Sequence, residues 1–278
     1  LTMIEPTSQT SVELQGSFSV QVEPAGRVFF VETENYQKET AGVQFALRIS
    51  AILNEQQDQT YEGEYTLRFR SSATASVDKR NPYCPDVLSL KFLKGQAVTS
   101  KEFVFFNAME QPEIKVQELA EGGASGTSSK VEVKPGDISK FDFALYNIQK
   151  NNTPFQGENK LVAYDNYGNI KNNFKDDVRV RSDNNKCDIC IQKSNVINVI
   201  PGRSFHSGIS DLTAIGFTYK SFEPERLPFN EKFIVSYGEK QGTSNDVTIQ
   251  PRPSAIVMSD LSDRKSKRLN SSHGKLSR

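Results

Sequence analysis

The sequence predicts an all-β protein in which one β-sandwich follows another along the chain. Three observations carry this prediction: short segments that alternate apolar and polar residues, turn residues between them, and a pattern that recurs about every 111–116 residues. Alternation with a period of two is typical of strands that are half-buried in a sheet. The sequence contains no convincing helical periodicity longer than two turns.

Three similar strand-like stretches, each ending in proline, mark the repeat. GSFSVQVEP, GTSSKVEVKP and GTSNDVTIQP end at Pro24, Pro135 and Pro251, so the spacings are 111 and 116 residues. Proline has no N–H to donate to a strand ladder, and therefore it ends a strand or lies at a sheet edge. We place the domain junctions at these three prolines.

These junctions divide the chain into the end of one repeat (1–24), two complete domains (25–135 and 136–251), the start of another repeat (252–262) and a tail (263–278). Seven short strands in about 115 residues are typical of an immunoglobulin-like sandwich. The predicted fold class is therefore all-β, with tandem immunoglobulin-like β-sandwiches. The strands expected in the second domain are 141–146, 160–164, 177–182, 195–200, 212–219, 232–238 and 246–250.

One turn in the second domain carries a family resemblance. Ala163-Tyr-Asp-Asn-Tyr-Gly-Asn169, followed by DDVRVRS, resembles the tandem immunoglobulin-like domains of bacterial surface proteins of the invasin, intimin and filamin-like types. The first domain is less similar, because Ile52-Leu-Asn-Glu-Gln-Gln-Asp58 stands where that turn should be. We assign Asp165, Gly168 and Asn169 to a structural turn, since Gly and Asn tolerate positive φ. We interpret this as a signal of fold and not of a binding site.

The resemblance implies a function. It predicts a non-catalytic structural or adhesive stalk module of an exported prokaryotic protein, located at the cell surface or outside the cell. Its partners would be neighbouring immunoglobulin-like repeats in the same chain and a host or cell-surface protein or glycan. The alternative is an accessory or carbohydrate-binding module of a secreted polysaccharide-degrading enzyme.

Charge and hydropathy exclude two classes of partner. The 278 residues carry no net charge, and residues 1–262 contain 28 basic and 33 acidic side chains. A mildly acidic body repels polyanions, so we expect no nucleic-acid partner. No apolar run approaches the roughly 18 residues that span a bilayer, so we expect no membrane contact within this sequence.

Both ends of the chain carry unusual features. The sequence starts at Leu1 without the charged and apolar regions of a signal peptide, and we expect a truncated start. Residues 263–273, DRKSKRLNSSH, resemble the translation of a common sequencing adapter, from which only Lys267 departs. We interpret 263–278 as read-through; the alternative is a real basic tail that binds nucleic acid or acidic lipid.

Cys187 and Cys190 form a C-x-x-C pair, which can be a local disulfide, a redox pair or half of a zinc site. Zinc needs about four ligands, and a redox pair needs a βαβ context that is missing here. We predict a loop disulfide between them, with free thiols as the alternative. Cys84 has no local partner.

Acidic clusters are the candidate calcium ligands. They comprise Asp165 with Asp176 and Asp177, and Glu62 with Glu64. None has the regular spacing of a calcium loop, so we predict no metal and no cofactor.

Catalysis and glycan binding receive little support. His206 is the only histidine before the tail, and no G-x-S-x-G motif is present. We therefore predict that the chain is not an enzyme. Tyr164, next to the DNYGN turn (residues 165–169), and Tyr167, within it, are the candidate aromatic contacts for a glycan.

Overall fold

The computed structural model describes residues 26–192 and 196–252, and these residues fold into β-strands around two separate hydrophobic cores. We call residues 26–134 the first unit and residues 136–252 the second unit. The segments 1–24 and 263–278 lie outside the described residues, as do most of 252–262. The predictions about Pro24, the flanking repeats and the tail therefore fall there.

The first unit contains ten strands. They are β1 (Val28–Thr33), β2 (Lys38–Thr40), β3 (Leu47–Leu53), β4 (Gln56–Gln57), β5 (Gly63–Ser71), β6 (Val87–Phe92), β7 (Gln96–Val98), β8 (Ile114–Glu118), β9 (Ser125–Thr127) and β10 (Glu132–Lys134).

The described residues of the second unit, 136–192 and 196–252, form thirteen strands and two short 3₁₀ turns, Gly202–Ser204 and Pro224–Arg226. The strands are β11 (Ile138–Ala144), β12 (Ile148–Lys150), β13 (Lys160–Asp165), β14 (Val178–Ser182), β15 (Cys187–Ile191), β16 (Val199–Ile200), β17 (Phe205–His206), β18 (Ile209–Asp211), β19 (Phe217–Ser221), β20 (Phe229–Glu231), β21 (Phe233–Tyr237), β22 (Lys240–Thr243) and β23 (Val247–Gln250).

Each unit is an immunoglobulin-like sandwich, as predicted for the all-β fold class. In the first unit, β4, β3 and β1 form one layer with β7 beside β3, and β9, β8, β5 and β6 form the other. A single parallel pair, Val28 with Ser125, joins the two layers. Alternate residues of both layers, such as Val31, Ile49 and Phe69, point into the first core.

The strand pairing of the first unit recurs in the second. The antiparallel pair β1–β3 corresponds to β11–β13, and β5–β8 corresponds to β14–β21. The short parallel pair β2–β10 corresponds to β12–β23. The two cores divide between Val133 and Phe141, which is where the sequence places the boundary at Pro135.

The second unit also differs from the first. An insertion near residues 223–231 contains the 3₁₀ turn Pro224–Arg226 and strand β20, which pairs with β23. The strand expected over 212–219 begins only at Phe217, because Gly216 has a φ of +73° and closes a turn. Of the strand expected over 195–200, the described residues form the short strand Val199–Ile200 and an isolated bridge between Ile197 and Cys190.

The predicted disulfide between Cys187 and Cys190 is wrong. Both thiols are free, and both residues lie in strand β15 rather than in a loop. Residues three apart in a strand point to opposite faces, with Cα atoms about 10 Å apart. A disulfide needs Cα atoms closer than about 7 Å, so this backbone cannot accommodate the bridge.

Within the described residues, no helix is long and apolar enough to cross a bilayer.

A cavity substitution tests the second core. Phe217 is fully buried and contacts the rings of Phe143, Phe155 and Phe233. We expect Phe217→Ala to lower the free energy of unfolding by about 3–5 kcal/mol, measured by chemical denaturation. Phe222 is 58% exposed, so Phe222→Ala is the matched control and should change the value by less than about 1 kcal/mol. Equal losses for the two variants would contradict the assigned core.

Candidate functional site

The connection between the two units is short and is held at several points. Strand β10 ends at Lys134 and β11 begins at Ile138, and the intervening Pro135 and Gly136 are buried. The backbone N–H of Gly136 donates to Asp165 Oδ2 at 2.8 Å, and Lys171 Nζ donates to the carbonyl of Pro135 at 3.4 Å. The linker is therefore bound to the second unit.

Asp165 organises this connection. Its side chain lies at the end of β13 and the residue is 1% exposed. Oδ1 accepts hydrogen bonds from the backbone N–H groups of Tyr167 (2.8 Å) and Asn169 (2.9 Å). Oδ2 accepts from Gly136 N–H and from Asn169 Nδ2, both at 2.8 Å. Four donors thus compensate the cost of burying the carboxylate.

Asn169 extends from this turn to the first unit. Its side-chain Nδ2 donates to the carbonyl of Phe106 at 2.7 Å, and its Oδ1 accepts from the N–H of Ala108 at 2.9 Å. Asn169 is fully buried. One amide therefore satisfies a backbone acceptor and a backbone donor that belong to the other unit.

Tyr167 supplies the apolar part of the same contact. Its ring centroid lies 4.9 Å from that of Phe106, and its side chain packs against the first core. Gly42, with a φ of +78°, faces this tyrosine: a Cβ atom at Gly42 would lie 1.9 Å from Tyr167 Oη. Gly168, with a φ of +77°, lies next to Val77 of the first unit. A side chain at position 42 would displace the tyrosine.

The structure thus gives the DNYGN turn a second role. Asp165, Gly168 and Asn169 lie in the turn to which the sequence assigned them, but the interpretation as a signal of fold alone is incomplete. The ring of Tyr167, a candidate glycan contact, packs against the ring of Phe106. Lys140 Nζ lies 5.9 Å from the ring centre of Tyr164, the other candidate. The first-unit residues Gly42, Phe106 and Ala108 carry no local sequence signal for a junction. Pro251 is exposed near the end of the described residues.

The candidate calcium ligands do not converge. Asp176 accepts a hydrogen bond from the hydroxyl of Tyr237 at 2.9 Å, and Asp177 accepts one from Gly202 N–H at 2.7 Å. Glu62 accepts one from Lys94 N–H at 3.2 Å. Within residues 26–192 and 196–252, no three His, Cys, Asp or Glu side chains are grouped so that they could hold a metal ion. His206 is exposed on β17.

A second polar cluster, not indicated by the sequence, lies at the end of strand β20 (Phe229–Glu231). Glu231 is 3% exposed, and its Oε1 accepts hydrogen bonds from the N–H groups of Asp183 (3.1 Å) and Asn184 (3.5 Å). Burial raises the pKa of Glu231. Burial also raises the pKa of the nearby Cys187 thiol to about 11, so this thiol is protonated at neutral pH and is a poor nucleophile.

Comparisons with known proteins give only distant similarities. No protein-family model and no curated protein matches the chain. Among solved structures, the chain is similar to the Escherichia coli adhesin FdeC, with 13% identity and a TM-score of 0.37, over 81% of this chain and 64% of FdeC. It therefore spans slightly less than two thirds of that structure.

Two further solved structures are similar at the same distant level. Extracellular domains 3–5 of Drosophila OTK share 12% identity with a TM-score of 0.27, covering 82% of this chain and 67% of that one. Bacteroides uniformis β-glucuronidase 3 shares 9% identity with a TM-score of 0.24, covering 81% of this chain and 25% of that one. With TM-scores below 0.5, none of these similarities assigns a function.

The cross-unit hydrogen bonds of Asn169 can be tested by truncation. We expect Asn169→Ala to destabilise the chain by about 1–3 kcal/mol, since it leaves the Phe106 carbonyl and the Ala108 N–H without their partner. Chemical denaturation measures the loss. The exposed Asn173→Ala is the control and should have a free energy of unfolding within about 0.5 kcal/mol of the wild type. If Asn169→Ala left the free energy of unfolding unchanged, the two hydrogen bonds to the first unit would not stabilise the chain.

The free thiols can be counted by alkylation. The unreduced, denatured chain should take three labels, one at each of Cys84, Cys187 and Cys190. In the folded protein at pH 7.5 we expect Cys187 to react most slowly, because it is buried whereas Cys84 and Cys190 are partly exposed. Burial raises the pKa of both Cys84 and Cys187 to about 11, so the pKa slows both of these thiols and does not rank them. Peptide mass spectrometry measures both results. A single label without reductant, rising to three after reduction, would restore the disulfide.

Proposed function

We propose that the two units form a rigid, non-catalytic spacer of an exported surface protein, which holds a more distal part of that protein away from its attachment. The observation that carries this proposal is the junction built by Asp165, Tyr167 and Asn169. A spacer must resist bending between its units, and the turn joins linker, second unit and first unit through one hydrogen-bonded network.

The length of the linker supports the same function. Only residues 135–137 separate strand β10 from β11, and Pro135 fixes its own φ near −65°. Few backbone torsions are therefore free to change the angle between the units. Inter-domain motion is the default expectation where contacts across a boundary are few, and the contacts of Asn169 and Tyr167 oppose it.

The surface location and the partners follow from the resemblance of the DNYGN turn to bacterial immunoglobulin-like repeats. In this proposal the neighbouring partners are further repeats of the same chain, arranged end to end. The alternative, an accessory module of a secreted polysaccharide-degrading enzyme, requires no fixed angle between the units. Rigidity at the junction therefore distinguishes the two functions.

Residual dipolar couplings of the full chain test the proposal. For a rigid spacer, backbone couplings from the first and second units fit one common alignment tensor. Gly42→Ala should separate them into two tensors, because the new Cβ would collide with Tyr167 Oη. Two unequal tensors in the unaltered chain would refute the spacer.

Gly122→Ala is the matched control for this experiment. Gly122 has a φ of +68°, close to the +78° of Gly42, so both substitutions introduce similar backbone strain. A Cβ at Gly122 meets no atom within 4 Å, and this variant should retain one tensor. If both variants behave alike, backbone strain and not the contact with Tyr167 is the cause.

A further inference from the structure

Two pairs of arginines recur at equivalent positions in the two units. Leu67-Arg-Phe-Arg-Ser71 lies in β5 and Val178-Arg-Val-Arg-Ser182 forms β14, at an offset of 111 residues. In each strand the apolar residues point into the core, so the arginines lie on the outer face of the sandwich. The repeated arginine pairs therefore belong to the surface, and packing of the cores does not require them.

In the first unit, this surface brings like charges together. Arg70 of β5 lies directly opposite Lys115 of β8, and Arg68 lies opposite Gln117. Like charges at opposed positions of neighbouring strands destabilise a sheet. Asp86 forms an ion pair with Arg68, with 3.9 Å between Asp86 Oδ1 and Arg68 Nε. Among the described residues, Arg70 and Lys115 form no ion pair with an acid.

The same four side chains line a recess. Arg68, Arg70, Lys115 and Gln117 surround a volume of about 220 Å³ on the outer face of the sheet. Arg68 Nε is buried and has no hydrogen-bond partner among the described residues. A recess that contains two guanidinium groups and an ammonium group favours a carboxylate or a sulfate, which guanidinium binds with two parallel hydrogen bonds.

The second unit has a similar recess at the equivalent place. Arg179, Arg181, Asn198 and Ser236 line a volume of about 300 Å³. Arg179 lies opposite Ser236 in β21, so a hydroxyl replaces one of the first unit's long polar side chains. Asp177 lies beside Arg179 in an adjoining recess, and one of its oxygens is used by the N–H of Gly202.

We propose that this recurring face binds a linear anionic polysaccharide, with one carboxylate or sulfate group held in each recess. Each unit thus provides one recess for a charged group of such a polymer. The amide and hydroxyl groups of Gln117, Asn198 and Ser236 suit the hydroxyls of a sugar. The excess of acids over bases in residues 1–262 opposes every polyanion, so binding would depend on the local cations of the two recesses and should weaken as the salt concentration rises. This inference does not depend on the spacer function.

The test is a titration of the full chain with heparin and with polygalacturonate, at low salt, followed by calorimetry. Polygalacturonate carries only carboxylates, whereas heparin carries sulfates as well as carboxylates, so binding of heparin alone would assign the sulfate as the bound group. Binding of either polymer supports the site. We expect Arg70→Gln and Arg181→Gln each to weaken binding at least threefold, and the double variant at least tenfold. Lys91→Gln and Lys220→Gln remove exposed cations outside both recesses and should stay within twofold of the wild type.

Two further measurements make the result decisive. Without ligand, Arg70→Gln should have a thermal midpoint equal to or above that of the wild type, because it removes the repulsion with Lys115; a lower midpoint would mean that the arginine is structural. Residues 263–278 carry six basic side chains, so the titration is repeated with them deleted, and the dependence on the arginines must persist.

Three results would overturn the proposal. The first is that neither polymer binds the unaltered chain. The second is that the arginine variants and the lysine controls lose affinity equally. The third is that deletion of residues 263–278 abolishes binding. A duplex DNA that binds as tightly as heparin through the same arginines would replace the polysaccharide by nucleic acid and would also overturn it.

Discussion

The arrangement of the two units depends on the buried carboxylate of Asp165. A carboxylate in a protein interior is costly unless hydrogen bonds compensate for the lost hydration, and here four N–H groups do so. These donors come from the linker, from the turn and from the Asn169 side chain. Asp165 orients the Asn169 side chain, and Asn169 in turn binds the backbone of Phe106 and Ala108. The carboxylate therefore fixes the contact between the two units indirectly, through Asn169.

The first unit solves a related problem in a different way. Its corresponding turn is a two-residue hairpin at Asn54 and Glu55, both with positive φ, and it has no carboxylate at the position of Asp165. Asp58 instead binds Arg27, just before β1, with 2.7 Å between Asp58 Oδ2 and the guanidinium. Hydrogen bonds from Thr60 and Arg27 lower the pKa of Asp58. Both units thus use a carboxylate to hold the entry to their first strand, and Asp165 also organises contacts to the unit that precedes it.

Periodicity was sufficient to predict the fold class, because alternation and turn residues are local properties of the sequence. It located β13, β14, β21 and β23 to within one residue at each end. It missed β12, since three residues become a strand there only through pairing with β23, about 100 residues away. It also placed Cys187 in a loop, because the polar residues 182–186 continue directly into β15. At the junction, local chemistry identified Asp165, Gly168 and Asn169 as a turn. Their contacts with Phe106 and Ala108 cross more than 60 residues and leave no local pattern.

The junction can be rigid although its individual contacts are weak. The two hydrogen bonds between the Asn169 side chain and the backbone of the first unit contribute about 0.5–1.5 kcal/mol each, and the aromatic pair Tyr167 with Phe106 contributes about as much again. Such contacts would not hold two separate molecules together, because association costs at least about 4 kcal/mol of translational and rotational freedom. A linker of three residues removes most of that cost, since the surfaces cannot move far apart. Gly42 then becomes as important as any hydrogen bond, because the absence of a side chain there lets Tyr167 pack against the first unit.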